Sequence, residues 1–110
     1  MLGNLHTLEL AYNQRVVDIS ALGNVRYLNL HKCTKINDFS ALRNVYSLDL
    51  SNTNVSDVST LSNVKFLNLS YTRVTDVSTL LNVNTLDIRG CSNITTDLNI
   101  LTSNGVTIIR

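Results

Sequence analysis

Three side chains in this 110-residue sequence have the types that hydrolysis requires, with an imidazole base, a serine nucleophile and an acid at His31, Ser51 and Asp49. On adjacent strands of one face they would form a triad. Acyl transfer also needs an oxyanion hole and a pocket, however, and a flat sheet with paired backbone groups supplies neither. Their proximity is therefore read as chance. Cys33 and Cys91, with His6 and His31, raise the further options of a disulfide or a zinc site. Five recurring aspartates, Asp18, Asp38, Asp57, Asp76 and Asp97, could stack as a calcium ladder. No glycine-rich phosphate loop is present.

Which of these groups meet is decided by an internal repeat. LGNLHTLEL, LGNVRYLNL, LRNVYSLDL, LSNVKFLNL and LLNVNTLDI begin at Leu2, Leu22, Leu42, Leu61 and Leu80, and a degenerate unit begins at Leu101. The spacing is thus 19 to 21 residues, and residues 1–110 read as a single repeat domain. Within each unit, positions 7 and 9 are apolar and alternate with polar positions 6, 8 and 10, as in Leu48-Asp49-Leu50. That period of two predicts one short strand per repeat, roughly residues 6–10, 26–30, 46–50, 65–69 and 84–88. Every unit returns the chain to the same phase, so the sheet must be parallel. Apolar anchors three residues apart, such as Val55, Val58, Leu61 and Val64, suit an irregular or 3₁₀ return path better than an α-helix. Narrow return segments also predict weak curvature, because they need little more width than the strands. Val106 to Arg110 reads as a last strand.

Bulk properties exclude some classes of partner. Nine Lys and Arg against eight Asp and Glu leave a formal charge of +1, which argues against a nucleic-acid binder driven by charge. The apolar residues occur as short pairs, and no run approaches the length needed to span a bilayer. No membrane and no nucleic acid are expected as partners. Met1 to Asn4 carries no basic and apolar leader.

The repeat register also narrows the chemistry. Cys33 and Cys91 hold the same position three repeats apart, about 14 Å at the rung spacing, too far for a disulfide. Free, buried thiols are expected, and they favour a reducing, cytoplasmic setting. Inward thiols and outward histidines cannot share a zinc ion, so neither a metal nor a cofactor is expected. Each of the five recurring aspartates precedes a wall anchor, and sequences such as Asp57-Val58-Ser59 favour a turn in which the carboxylate accepts backbone N–H groups. The other three acids fall at strand position 8, where the column reads Glu9, Asn29, Asp49, Asn68, Asp87. Two readings of this outward stripe stand: recognition of a basic or hydrogen-bonding partner, or simple dilution of stacked charge. Of the six aromatic residues only Phe39 takes a core position; Tyr27 and Phe66 are at exposed position 6. Tyr12 and Tyr71 at position 11 and Tyr46 at position 5 either flank the stripe on the surface with them or are half-buried at its edges.

LxxLxLxx(N/C/T)x(I/V) in tandem resembles the leucine-rich-repeat family, and the tail DVSxLxNV resembles its bacterial internalin type. The resemblance covers residues 2 to about 101 and implies a leucine-rich-repeat solenoid, an α/β-class repeat fold that here is mostly β, with one parallel sheet of five or six short strands. At position 12 only Asn13 matches the family's asparagine, with Cys33, Thr53, Thr72 and Cys91 in its place. The expectation is a non-catalytic module, not an enzyme, that presents the strand face to a protein or peptide. Its candidate contacts are Tyr27, Asn29, Asp49, Phe66, Asn68 and Asp87, flanked by Arg26, Lys65 and Arg89. The alternatives are a structural role by self-association, in which the exposed strand edges at Leu2 to Leu10, uncapped, and Val106 to Arg110 join chains end to end, or a fragment of a larger leucine-rich-repeat receptor or effector.

Overall fold

The computed structural model describes residues 6–110. Six short strands pair in chain order: β1 (Thr7–Glu9), β2 (Tyr27–Asn29), β3 (Ser47–Asp49), β4 (Phe66–Asn68), β5 (Thr85–Asp87) and β6 (Thr107–Ile109). Every pairing is parallel, and the register keeps repeat positions aligned. Leu28 faces Leu48, Leu48 faces Leu67, and Leu67 faces Leu86. The strands are three residues long where five were expected. The hydrogen-bond ladder nevertheless runs further, since the N–H groups of Leu10, Leu30, Leu50, Leu69 and Ile88 donate to the next strand at 2.8–2.9 Å.

The strands end where the chain turns out of the sheet at position 11. Tyr12, Lys32, Asn52 and Tyr71 take φ values of 57–65°, and Gly90 takes 74°. Only asparagine and glycine adopt this left-handed conformation readily, so the tyrosines and the lysine are held there by the surrounding ladder. The turn lifts Tyr12 and Tyr71 into solvent, each 64% exposed, so half-burial at an edge does not account for these two rings.

The core is the inward stack of positions 7 and 9 with the wall anchors. Leu30, Leu42, Leu50, Leu61, Leu69 and Leu80 are fully buried. No single repeat could dry these groups, so burial requires stacking. The return wall is built from 3₁₀-type turns. Leu22, Leu42, Leu61, Leu80 and Leu101 each donate a backbone N–H to the carbonyl three residues back, and Ser40–Leu42 and Ser59–Leu61 close as full 3₁₀ turns. In the last unit the return path closes as one α-helical turn, α1 (Asn99–Ser103), which buries Leu101 and carries the chain into β6.

Position 12 seals the interior with side-chain donors. Cys33 Sγ donates to the Leu10 carbonyl and Cys91 Sγ to the Leu69 carbonyl, both at 2.9 Å. Thr53 and Thr72 hydroxyls donate to Leu50 and Leu69 carbonyls. Short donors thus replace the amide expected of the repeat. Both thiols are free; Cys33 is buried, whereas Cys91 is half-buried, shallower than expected. Burial pushes the Cys33 thiol up from its ordinary value. Among the described residues no helix is long and apolar enough to cross a membrane. Leu2 and Leu5 of the expected N-terminal edge lie outside the described residues.

Candidate functional site

The strand face carries positions 6, 8 and 10 outward, because alternation along each strand sends 7 and 9 to the core. Across β2, β3 and β4 position 6 reads Tyr27, Ser47, Phe66, so two rings stand two rungs apart with a small residue between them. Tyr46, one residue before Ser47, bridges these rings with centroids 5.8 Å from Tyr27 and 5.5 Å from Phe66, both tilted toward edge-on contact. His6 extends the row, 4.9 Å from Tyr27. The Arg26 guanidinium sits 4.4 Å over the Tyr46 ring, a cation–π contact that fixes the row from outside. Tyr46 is half-buried, as expected of an edge position, whereas Tyr27 and Phe66 remain 36% and 40% exposed.

Tyr27 and Phe66 line a shallow trough of about 320 Å³ together with Asn29, Ser47, Asp49 and Asn68. The sheet is therefore not featureless, as its flat outline had implied. Lys65 lies outside the row, its ammonium donating to the Asn82 carbonyl at 3.3 Å.

The outward stripe is also a column of turns. The Oδ1 atoms of Asn29, Asp49, Asn68 and Asp87 each accept the backbone N–H two residues on, from His31, Ser51, Ser70 and Arg89, at 2.9–3.1 Å. An amide and a carboxylate offer the same oxygen for this bond, so either residue serves. Local structure thus fixes the side-chain oxygens that a partner would meet.

Two acids of the stripe end in opposite states. Asp87 is only 7% exposed, not at an open centre as expected. The Arg89 guanidinium grips its carboxylate from 2.7 Å (Nη2 to Oδ2) and 3.1 Å (Nε to Oδ1), the one ion pair among the described residues. These bonds hold the Asp87 carboxyl below its usual range and raise Arg89. Asp49 has no such cation. Its Oδ1 takes both the N–H and the hydroxyl of Ser51, the latter at 2.5 Å, and no bond to Oδ2 is present among the described residues.

Ser51 meets both of the others, donating to Asp49 Oδ1 and lying with its Oγ 2.6 Å from His31 Nδ1. The polarity is wrong for hydrolysis. An ionised carboxylate can only accept, so the single hydroxyl proton goes to Asp49 and His31 must donate its own proton to Ser51. Ser51 is also 3% exposed, out of a substrate's reach. The chain of bonds stiffens the turn at the end of β3 instead of activating a nucleophile. Among the described residues no three His, Cys, Asp or Glu side chains cluster as a metal site would require.

The wall aspartates do what their sequence context implied. Asp18, Asp38, Asp57 and Asp76 accept the N–H of the serine two residues on at 2.9–3.0 Å, and Asp97 does the same for Asn99. Backbone and hydroxyl donors lower the carboxyls of Asp18, Asp38, Asp57 and Asp76 below the ordinary value. A carboxyl lowered by folding adds stability above its unfolded value, and that contribution disappears as pH falls through the folded one. The melting temperature should accordingly begin to drop below about pH 5 and go on dropping as the pH passes through the lowered folded values. Asn at positions 38, 57 and 76 together retains the acceptor oxygen and removes the charge. Melts followed by circular dichroism should then lose part of the acid slope, and an unchanged slope would refute this assignment.

The one parallel sheet, the 19-to-21-residue unit and the 3₁₀ return wall define a leucine-rich-repeat solenoid. Its repeats resemble the bacterial internalin type. An internalin (InlF) from Listeria monocytogenes matches 84% of this chain at 29% identity and a TM-score of 0.57; the match spans 31% of that protein. Internalin C2 (InlC2) from the same organism matches 94% of this chain at 20% identity and a TM-score of 0.63, over 59% of its own length. The chain thus spans 31% and 59% of the lengths of these two structures. No protein-family model matches it, and no curated protein does.

Proposed function

We propose that the chain is a non-catalytic scaffold that binds a protein or peptide on its exposed strand face. The observation that carries this reading is the aromatic row of Tyr27, Tyr46 and Phe66, held in fixed contact beside a trough on rigid, paired strands. Rings already locked by their neighbours lose little freedom on binding, and exposed aromatic groups supply much of the energy of interfaces. Asn29, Asp49 and Asn68 contribute oriented polar atoms, with Arg26 and Lys65 at one rim. Asp87 and Arg89 enter this surface as a neutralised pair, since each already satisfies the other. Likeness to internalin solenoids supports the scaffold class but names no partner for this chain.

Selection of peptides from a randomised display library on the intact protein tests the reading. The selected peptides should lose at least about tenfold in affinity on Tyr27→Ala and on Phe66→Ala. Thr79→Ala, on the exposed return wall, should leave them unchanged. Peptides indifferent to both ring substitutions would place binding elsewhere and remove the strand face from consideration.

A further inference from the structure

The stripe holds the same acid in two states, and the difference lies two residues further along the strand. In β5, Asp87 is followed at repeat position 10 by Arg89, whose guanidinium lies against the carboxylate. In β3 that position is Ser51, which bonds only to Oδ1 of Asp49. Asp49 therefore stands in the same register with its second oxygen unclaimed. On its own face lies Ser47, and beyond Ser47 on either side lie the Tyr27 and Phe66 rings, with Tyr46 behind both.

We infer that the Asp49 notch is a receptor for an arginine side chain of the protein or peptide partner, which would pass over Ser47 between the two rings and place its guanidinium on Asp49 Oδ2. This rests on the strand-face reading above and adds a partner chemistry to it. Ser47 and Asp49 are two residues apart on one face, about 7 Å, within the span of an arginine stem and head. Tyr46 closes the row between Tyr27 and Phe66, and the room for an unbranched stem is the trough lined by Tyr27, Ser47, Asp49 and Phe66. Charge complementarity selects a cation, because the stripe's neighbours Asn29 and Asn68 are neutral and the nearby Arg26 is occupied over Tyr46. The rings select arginine over lysine: guanidinium is planar, weakly hydrated and stacks on aromatic faces, whereas an ammonium holds its water more tightly. The molecule uses guanidinium for both tasks within itself, Arg26 on a ring and Arg89 on the stripe's other aspartate.

The probe is N-acetyl-arginine amide, titrated into the isotopically labelled protein and followed by backbone amide shifts, with the lysine and citrulline analogues as controls. Citrulline keeps the shape of the arginine side chain and removes its charge. Arginine should shift the amides of Ser47, Asp49 and Ser51 in a saturable manner, at least about tenfold more tightly than lysine or citrulline. Asp49→Asn should abolish that preference and leave the fold intact, because Asn29 and Asn68 already make the same turn bond with an amide oxygen. Phe66→Ala should weaken arginine binding while retaining some preference for charge. Equal shifts from arginine and citrulline, equal binding of lysine, or an arginine response unaffected by Asp49→Asn would each overturn the assignment. None of these would touch the broader reading, which fails only if selected peptides ignore Tyr27 and Phe66.

Discussion

Leu50→Ala should cost about 2–5 kcal/mol of folding stability, the range for emptying a sealed leucine site. Leu50 is fully buried at strand position 9, between Leu30 and Leu69 of the adjacent rungs. Its amide donates to the Asn68 carbonyl at 2.8 Å and its carbonyl receives the Thr53 hydroxyl at 2.7 Å. The backbone at the site is thus pinned on both sides, and the cavity cannot close by a local shift. A domain of this size is stable by only about 5–15 kcal/mol, so the loss is a large share of the whole. Leu10 occupies the same column in the first repeat but is half-buried, and Leu10→Ala should cost less than half as much. Urea unfolding with matched slopes decides the matter. Equal losses at the two positions would mean that the rungs do not draw their stability from stacking on both sides.

The comparison also shows why the fold could be read from the sequence. Stacking makes each rung's requirements identical, so inward leucines recur at fixed spacing and announce strand, direction and register together. The wall aspartates were legible for the same reason, since Asp57-Val58-Ser59 states its own turn chemistry and the N–H of Ser59 indeed donates to Asp57. The strand-position turns were less legible. Alternation of Asn and Asp down the stripe fits recognition of a partner as well as dilution of charge, and neither reading contains the turn: Asn29, Asp49, Asn68 and Asp87 all bond the amide two residues on, and either side chain can do so. Asp87-Ile88-Arg89 carries its pairing in the sequence, because residues two apart along an extended chain share a face and opposite charges there pair. The chain from Asp49 through Ser51 to His31 was visible as adjacency, but only the direction of the hydroxyl proton separates a stiffened turn from a triad.

What no periodicity could reveal is the left-handed column, and it yields the second large effect. Gly90→Val should destabilise the protein by about 2–4 kcal/mol, combining backbone strain with a steric clash. At φ 74° a β-branched side chain is a genuine outlier, and a Cβ built on Gly90 would fall 2.3 Å from Cδ1 of the Tyr71 ring. Tyr71 rests across Gly90 from the preceding rung, so the substitution must displace an aromatic ring as well as strain the turn. Tyrosine and lysine at this position of other repeats show that the conformation can be imposed on an L side chain at a cost of about 1–2 kcal/mol. Asparagine, which holds the same turn at Asn52 with φ 57°, is the cheapest replacement. The expected order of melting temperatures is therefore Gly90 above Gly90→Asn, then Gly90→Ala, then Gly90→Val. Should the valine variant melt with the asparagine variant, backbone conformation would not be what terminates the strands, and the tyrosines at φ 58° and 65° would need another explanation.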